Sequence, residues 1–357
     1  MTWWTFDPHD PLMVRDGRPF GLDTDGACSM AFPPPSVVAG AMRTRVGFAG
    51  GRAVFGLTPQ AARAIPVVGP LLAKRDHRGG VGFFGAAPRD VVLFERTGDG
   101  WPRRRLAPLP AWTDGAHGHP GGMLVVGNPD LPPDKPAKDA PAFWSFELLR
   151  AWLEAPPASD VLRRAGTVPP LPHERRVHVA IDAKTGTGED GKLFQTDGLR
   201  LRDGSEGWGS ELTLAVACED PALTAGMVPL GGERRLAALS RLPAGPDWPA
   251  IRPGTRRLRV LLLTPGLFAN GAWPAKIEGA PVVAAAVDRP LVISGWDLAR
   301  GCVKQVRRCA PAGSVYWVDV PEPLDVDAWV ARVHLNPISD DEQDRRDGFG
   351  LAVVGVA

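Results

Sequence analysis

Between Asp7 and Arg45 the chain leaves a short apolar opening, crosses a polar loop and enters a helix with a sharply marked start. The opening, residues 2–6, reads as a strand. In the loop, Arg15 and Arg18 flank the turn pair Asp16-Gly17. Pro33, Pro34 and Pro35 stop any helix arriving from upstream, since proline lacks an N–H, but proline fits a helix's first turn. Ser36 is a suitable N-cap. Val37, Val38, Ala41, Met42 and Val46 recur at helical spacing, and Gly47 ends the run. Arg43 and Arg45 occupy the last turn, where cations suit the helix dipole. A strand, a loop and a capped helix open a βα unit.

The later periodicities continue that unit and repeat it. Residues 176–181 and 193–202 alternate like the arms of a hairpin, and 211–218 reads as a further strand. A short helix is expected over 221–227 and a closing strand over 234–242. A second set follows: strands over 257–263, 281–287, 291–295 and 314–320, a helix over 324–333 and a last strand over 350–356. The fold class expected is α+β, with two ferredoxin-like (RRM-like, βαββαβ) domains. Residues 1–245 form the first, with an insertion at about 47–171 and the hairpin at about 175–203. Residues 250–357 form the second, and the proline-rich stretch 242–253 links them. Within the insertion, 81–94 reads as β and 108–141 as loop. Residues 143–154 read as an amphipathic helix with Phe146, Leu149, Trp152 and Leu153 on one side.

Composition removes several function classes. No apolar run reaches the roughly 18 residues of a membrane-spanning helix, and no basic-then-apolar leader opens the chain. The expected location is the cytoplasm, with no membrane partner. Cys28, Cys218, Cys302 and Cys309 contain no Cys-x-x-Cys pair, and the histidines, including His117 and His119, show no metal spacing. Neither a metal nor a cofactor is expected. Net charge is +1, far from the strong basicity of a duplex-DNA reader. Basic residues nevertheless cluster, at 103–105, 175–176, 234–235, 256–259 and 304–308, and only seven of the 41 are lysine. Arginine's planar fork suits phosphate and stacks on bases.

Lys304, Arg307 and Arg308 lie between Trp296 and the pair Tyr316-Trp317, the mixture of charge and rings that single-stranded RNA requires. Lys184 sits in a glycine-rich loop between the hairpin arms. Gly348 and Gly350 bracket Phe349 before the last strand, where glycine permits close backbone approach. Gly231-Gly232-Glu233-Arg234 reads as a turn, since it lacks any nucleotide-binding pattern. The acids of 339–344 are consecutive rather than convergent, which fits an exposed loop better than a Mg²⁺ site.

Four of these blocks together resemble the RAMP superfamily, and within it the family of the third subunit of the Cmr complex, the type III-B CRISPR effector. They are the Asp7 to Arg45 segment, Leu230-Gly231-Gly232-Glu233-Arg234-Arg235, the stretch from Ser294-Gly295-Trp296-Asp297 to Tyr316, and Gly348-Phe349-Gly350. The resemblance implies a non-catalytic RNA-binding subunit that holds the 5′ handle of the guide RNA (crRNA). It implies two protein partners, a large polymerase-like subunit and a RAMP backbone subunit. The expected RNA contacts are Arg15, Arg18, Arg43, Arg45, Lys184, Arg234, Lys304, Arg307, Arg308, Gly348 and Gly350. Two alternatives stay open. One is a metal-independent RAMP endonuclease that processes precursor crRNA with a histidine, for which His9, His173 and His178 are candidates by type. The other is a protein-only scaffold.

Overall fold

A computed structural model describes residues 1–15, 29–47, 58–75, 80–110, 122–157, 159–202, 212–297 and 301–357. The fold is mixed α/β and rich in strands. Two antiparallel sheets dominate. The N-terminal sheet has eight strands, in the order Thr167–Val168, Phe143–Ser145, Val81–Ala86, Val67–Arg75, Leu212–Cys218, Trp3–Pro8, Leu236–Arg241, Gly226–Pro229. The C-terminal sheet has six, in the order Lys276–Ile277, Ala280–Ala286, Val315–Asp319, Arg257–Leu262, Leu351–Val356, Asn336–Pro337. At the centre of each, the first strand in sequence lies between two later ones: Trp3–Pro8 between Leu212–Cys218 and Leu236–Arg241, and Arg257–Leu262 between Val315–Asp319 and Leu351–Val356. Val67–Arg75 pairs on the outside of Leu212–Cys218, and Ala280–Ala286 on the outside of Val315–Asp319. Each half carries one helix on its outer face, Pro35–Gly47 in the first and Val326–Val333 in the second.

Side-chain alternation explains the layering. In Leu212–Cys218 every residue is buried. Leu212, Leu214 and Val216 face the core under Pro35–Gly47, together with Trp4, Phe6, Val38 and Met42. The small Ala215 and Ala217 face the other way, into a core shared by both sheets. In the C-terminal sheet, Leu258, Val260 and Leu262 face outward to Trp329, Val330 and Val333, while Leu261, Val315, Trp317 and Val353 face the shared core. The helix Phe146–Glu154 is wedged into that shared core by Phe146, Leu149, Trp152 and Leu153. Its N-cap is Ser145, whose Oγ accepts from Leu148 N–H.

One charge lies in the seam. Arg259 is fully buried on the inner face of Arg257–Leu262. Its Nη1 donates to Asp90 Oδ2 at 2.5 Å, and its other donors reach Val356 O, Trp152 O and Leu153 O. Asp90 Oδ1 accepts from Trp152 Nε1 at 2.8 Å. One guanidinium thereby joins the segment around Asp90, the end of the wedged helix and the last strand. A buried charge survives only when paired and hydrogen-bonded, and here Arg259 has its carboxylate and three carbonyl partners.

Several elements differ from the sequence expectation. The second strand of the first sheet is not a hairpin arm but Val67–Arg75, within the stretch read as insertion. The hairpin, His173–Ile181 with Gly188–Leu199, forms its own two-stranded ribbon. Residues 221–227 form a turn and the start of an edge strand rather than a helix, with Gly226 at φ +140°. Leu291–Ile293 leaves the C-terminal sheet and pairs with Arg307–Cys309, making a separate arm. The acids of 339–344 are exposed at Asp340, Asp341 and Glu342, as expected, but they lie in a capped helical turn rather than a plain loop. Asp341 caps the short helix Glu342–Arg346, and Asp344 and Asp347 are buried.

Candidate nucleic-acid interface

The four sequence blocks meet in space. Gly231 sits at φ +77°, where a Cβ would lie 2.7 Å from Met13 O, so the glycine turn rests on the N-terminal loop. Gly232 N–H donates to that same oxygen at 2.7 Å. Ser29, at the far end of the loop, donates from Oγ to Asp197 O at 2.6 Å, and Leu12 pairs with Leu199. These contacts fasten the loop to the base of the hairpin. Met30 then packs against a small core made by Leu267, Ile293, Cys309 and Phe349. That core joins the loop, the arm and the glycine block Gly348-Phe349-Gly350.

Several candidate residues are engaged by partners within the chain, although Arg307 keeps 42% of its side chain exposed. Arg43 Nη1 meets Asp347 Oδ1 at 2.6 Å, and its other donors reach Ile65 O and Arg346 O. Arg45 donates to Thr224 O, Thr224 Oγ1 and Ala225 O. Arg307 grips Asp344 with both Nη1 and Nη2, at 2.7 and 2.9 Å. Gly348 (φ +93°) and Gly350 (φ +81°) are buried. A Cβ on Gly348 would lie 2.7 Å from Gly69 O, and one on Gly350 would lie 2.8 Å from Ser339 N. Their glycine requirement therefore comes from close approach to the protein's own backbone.

The remaining candidates face solvent. Arg234 is exposed in the glycine turn at φ +54°. Lys304 and Arg308 are exposed on the arm, and Lys184 is exposed at the hairpin tip. Arg15 is exposed and bridges to Ser29. Arg18 and the Trp296 side chain lie outside the described residues.

Two of the rings that flank the basic residues are structural and cannot stack on bases. Tyr316 and Trp317 are fully buried, and Tyr316 Oη donates to Ala272 O at 2.7 Å. Burial pushes the Tyr316 hydroxyl well above its ordinary range. The Cys309 thiol is likewise pushed up to about 12 by burial, which makes it an inert core side chain. An aromatic surface does exist on the hairpin, built on Phe194, which the sequence reading did not single out. His178 stacks on Phe194 at 5.2 Å and 15°, and Phe194 stays exposed. A phenylalanine within the polar arm of a hairpin was the available signal.

Other arginine clusters are also structural. Arg256 donates to Val320 O, Pro321 O and Leu324 O, and Arg257 grips Asp319. Arg103 pairs with Asp160 and lies 4.9 Å over the Trp152 ring. Among the described residues there is no group of three potential metal ligands and no helix long and apolar enough to cross a membrane.

No curated protein matches the chain in sequence. Two cryo-EM structures of the type III-B Cmr-beta complex contain similar chains. One complex is bound to cognate target RNA and AMPPnP, and its chain gives 16% identity and a TM-score of 0.49. The other is bound to cognate target RNA, and its chain gives 17% identity and a TM-score of 0.47. Each comparison covers 88% of this chain and 86% of the other. The family described as CRISPR-associated protein (Cas_Cmr3) matches residues 4–357, nearly the whole length. The chain therefore belongs to the Cas_Cmr3 family of CRISPR-associated proteins.

Proposed function

We propose that this chain is the crRNA-binding subunit of a type III-B CRISPR effector, holding the 5′ handle of the guide RNA. The observation that carries the reading is the convergence of the four blocks around Met30 and Phe349, with Arg234, Lys304 and Arg308 left facing solvent. Target specificity then comes from guide pairing, and the protein reads phosphates and splayed bases. In this reading the two sheets are RRM-like units, residues 1–245 and 250–357, and the subunit is not an enzyme. Its protein partners are a large polymerase-like subunit and a RAMP backbone subunit. Arg43, Arg45, Arg307, Gly348 and Gly350 shape the surface from within, while Arg15, Lys184, Arg234, Lys304 and Arg308 reach the RNA. Arg18 belongs to the same loop as Arg15.

The test is binding of repeat-derived handle RNA across a salt series. Replacing Arg234, Lys304 and Arg308 together by Ala should lower the slope of log K against log salt by about 2, since each phosphate contact on a single strand contributes roughly 0.7. An unchanged slope overturns the assignment. One observation favours the endonuclease as a second reading. His173 Nδ1 lies 2.9 Å from Asp197 Oδ2, an arrangement that orients an imidazole as a general base. Metal-free cleavage of repeat RNA by the purified chain, lost in His173→Ala, would replace the first reading with that one.

A further inference from the structure

Two adjacent residues of the glycine turn have a backbone conformation that L-amino acids avoid. Glu233 and Arg234 both lie at φ +54°. Among the described residues only Glu278 and Leu335 are further non-glycine positions with positive φ, and neither adjoins a second one. Arg235 N–H closes the turn on Gly232 O at 3.3 Å, between the strands Gly226–Pro229 and Leu236–Arg241. Positive φ at both central residues is the pattern of a type I′ turn, which Asn, Asp and Gly fill with least strain. Glutamate and arginine fill it here, and each pays for its Cβ in the left-handed region. Strain of this kind persists only where the surroundings over-determine it.

The turn is held from two sides. Gly231 and Gly232 rest on Met13 O. Arg235 supplies the second hold. Its Nη2 donates to Glu233 Oε2 at 3.2 Å, and its Nη1 lies 3.5 Å from Asp10 Oδ1. One guanidinium thereby ties the strained turn to the segment just beyond the first strand, Trp3–Pro8. Only 19% of the Arg235 side chain is exposed, and its Nε is buried, so it faces the protein rather than a ligand. Glu233 has its reason in that grip. Arg234, beside it, faces solvent. An arginine on a loose loop must be ordered when it meets a phosphate, at an entropic cost. An arginine on a held turn is ordered beforehand.

We propose that Arg235, acting through Glu233 and Asp10, is a positioning residue that holds the left-handed turn, so that Arg234 meets an RNA phosphate in a preset geometry. This rests on the crRNA reading and adds to it residues that act without touching RNA.

The experiment titrates the full chain with repeat-derived handle RNA over a salt series. Arg235→Gln removes both ion pairs. Relaxed turn conformers then dilute the binding-competent one, and affinity should fall about tenfold. The slope of log K against log salt should stay within about 0.3 of the parent's, because Arg234 still meets its phosphate. Arg234→Ala should instead lower the slope by about 0.7. An equal drop in Arg235→Gln would make Arg235 a direct contact and overturn the proposal.

Two second-site changes in the Arg235→Gln chain separate geometry from charge. Glu233→Asn introduces a residue that tolerates the left-handed region and should recover most of the lost affinity. Glu233→Gln restores the same net charge without that tolerance and should recover little. Equal recovery by both, or by neither, overturns the proposal. Gly231→Ala presses a Cβ against Met13 O and leaves every charge in place. It carries the test if Arg235→Gln does not fold, and it should weaken binding at an unchanged slope. Parent-like affinity in that variant, or in Arg235→Gln, overturns the positioning role alone. A parent chain that binds no handle RNA overturns the crRNA reading itself, and the positioning role with it.

Discussion

Two regions of this molecule use arginine in opposite ways. In the seam between the sheets, Arg259 has no exposure, and its donors are taken up by Asp90 and by carbonyls of two segments. On the arm, Arg308 faces solvent one residue from Arg307, which is tied to Asp344. The seam arginine organises the fold, and the arm arginine is available for a ligand. The difference teaches that residue type and clustering do not separate the two roles. What separates them is whether the fold supplies a carboxylate or a set of carbonyls within reach. Arg43, Arg256, Arg257 and Arg307 all fall on the seam's side of that division.

The sharpest way to break the comparison is to remove the seam charge. Arg259→Leu leaves Asp90 buried with Trp152 Nε1 as its remaining hydrogen-bond donor. Uncompensated buried charge costs about 3–5 kcal/mol, so the variant should show a large loss in denaturant unfolding. Adding Asp90→Leu removes the orphaned charge and should recover a substantial part of that loss. If the single variant unfolds like the parent, Arg259 does not organise the seam. A smaller effect separates the neighbours on the arm. Arg307→Ala leaves the carboxylate of Asp344, 7% exposed, without its bidentate partner. It should cost about 1–3 kcal/mol. Arg308→Ala should change stability by less than about 0.5 kcal/mol and lower the salt dependence of RNA binding instead. Equal behaviour of the two variants in both assays would erase the distinction.

These partners explain what the sequence could and could not convey. The helix after the three prolines, the strand at 211–218 and the closing strand before the C-terminus were legible because their apolar spacing is local. The strand Val67–Arg75 was not, since Gly69 and Pro70 interrupt a run that otherwise reads Val67-Val68 and Leu71-Leu72-Ala73. Only pairing with Leu212–Cys218 makes that segment a central strand, and the partner lies far away in sequence. The site followed the same rule. Exposed cations could be nominated from the sequence, but their partners could not. Asp347 is 304 residues from Arg43, and Asp90 is 169 from Arg259. Gly348 was singled out as a place of close backbone approach, and the backbone that approaches it within the chain is the strand at Gly69.

The smallest expected effect tests whether the seam also responds to pH. His334 Nδ1 accepts from Val354 N–H at 3.2 Å, and Nε2 donates to Trp248 O at 3.0 Å. Trp248 comes from the stretch between the two sheets and packs edge-on against Phe146 at 4.9 Å. A neutral imidazole with its proton on Nε2 satisfies both contacts, and protonation removes the acceptor that Val354 uses. Burial lowers the His334 pKa below its ordinary value. The unfolded chain therefore binds this proton more readily than the folded one. Its contribution to stability is complete above the ordinary histidine value, about 6.5, and is lost as pH falls below it. Stability measured from about pH 7.5 to 5.5 should decline in the parent more steeply than in His334→Gln, which cannot titrate there. Parallel curves would show that the link between Trp248 and the seam carries no proton-dependent term. The seam would then rest on the buried pair of Arg259 and Asp90.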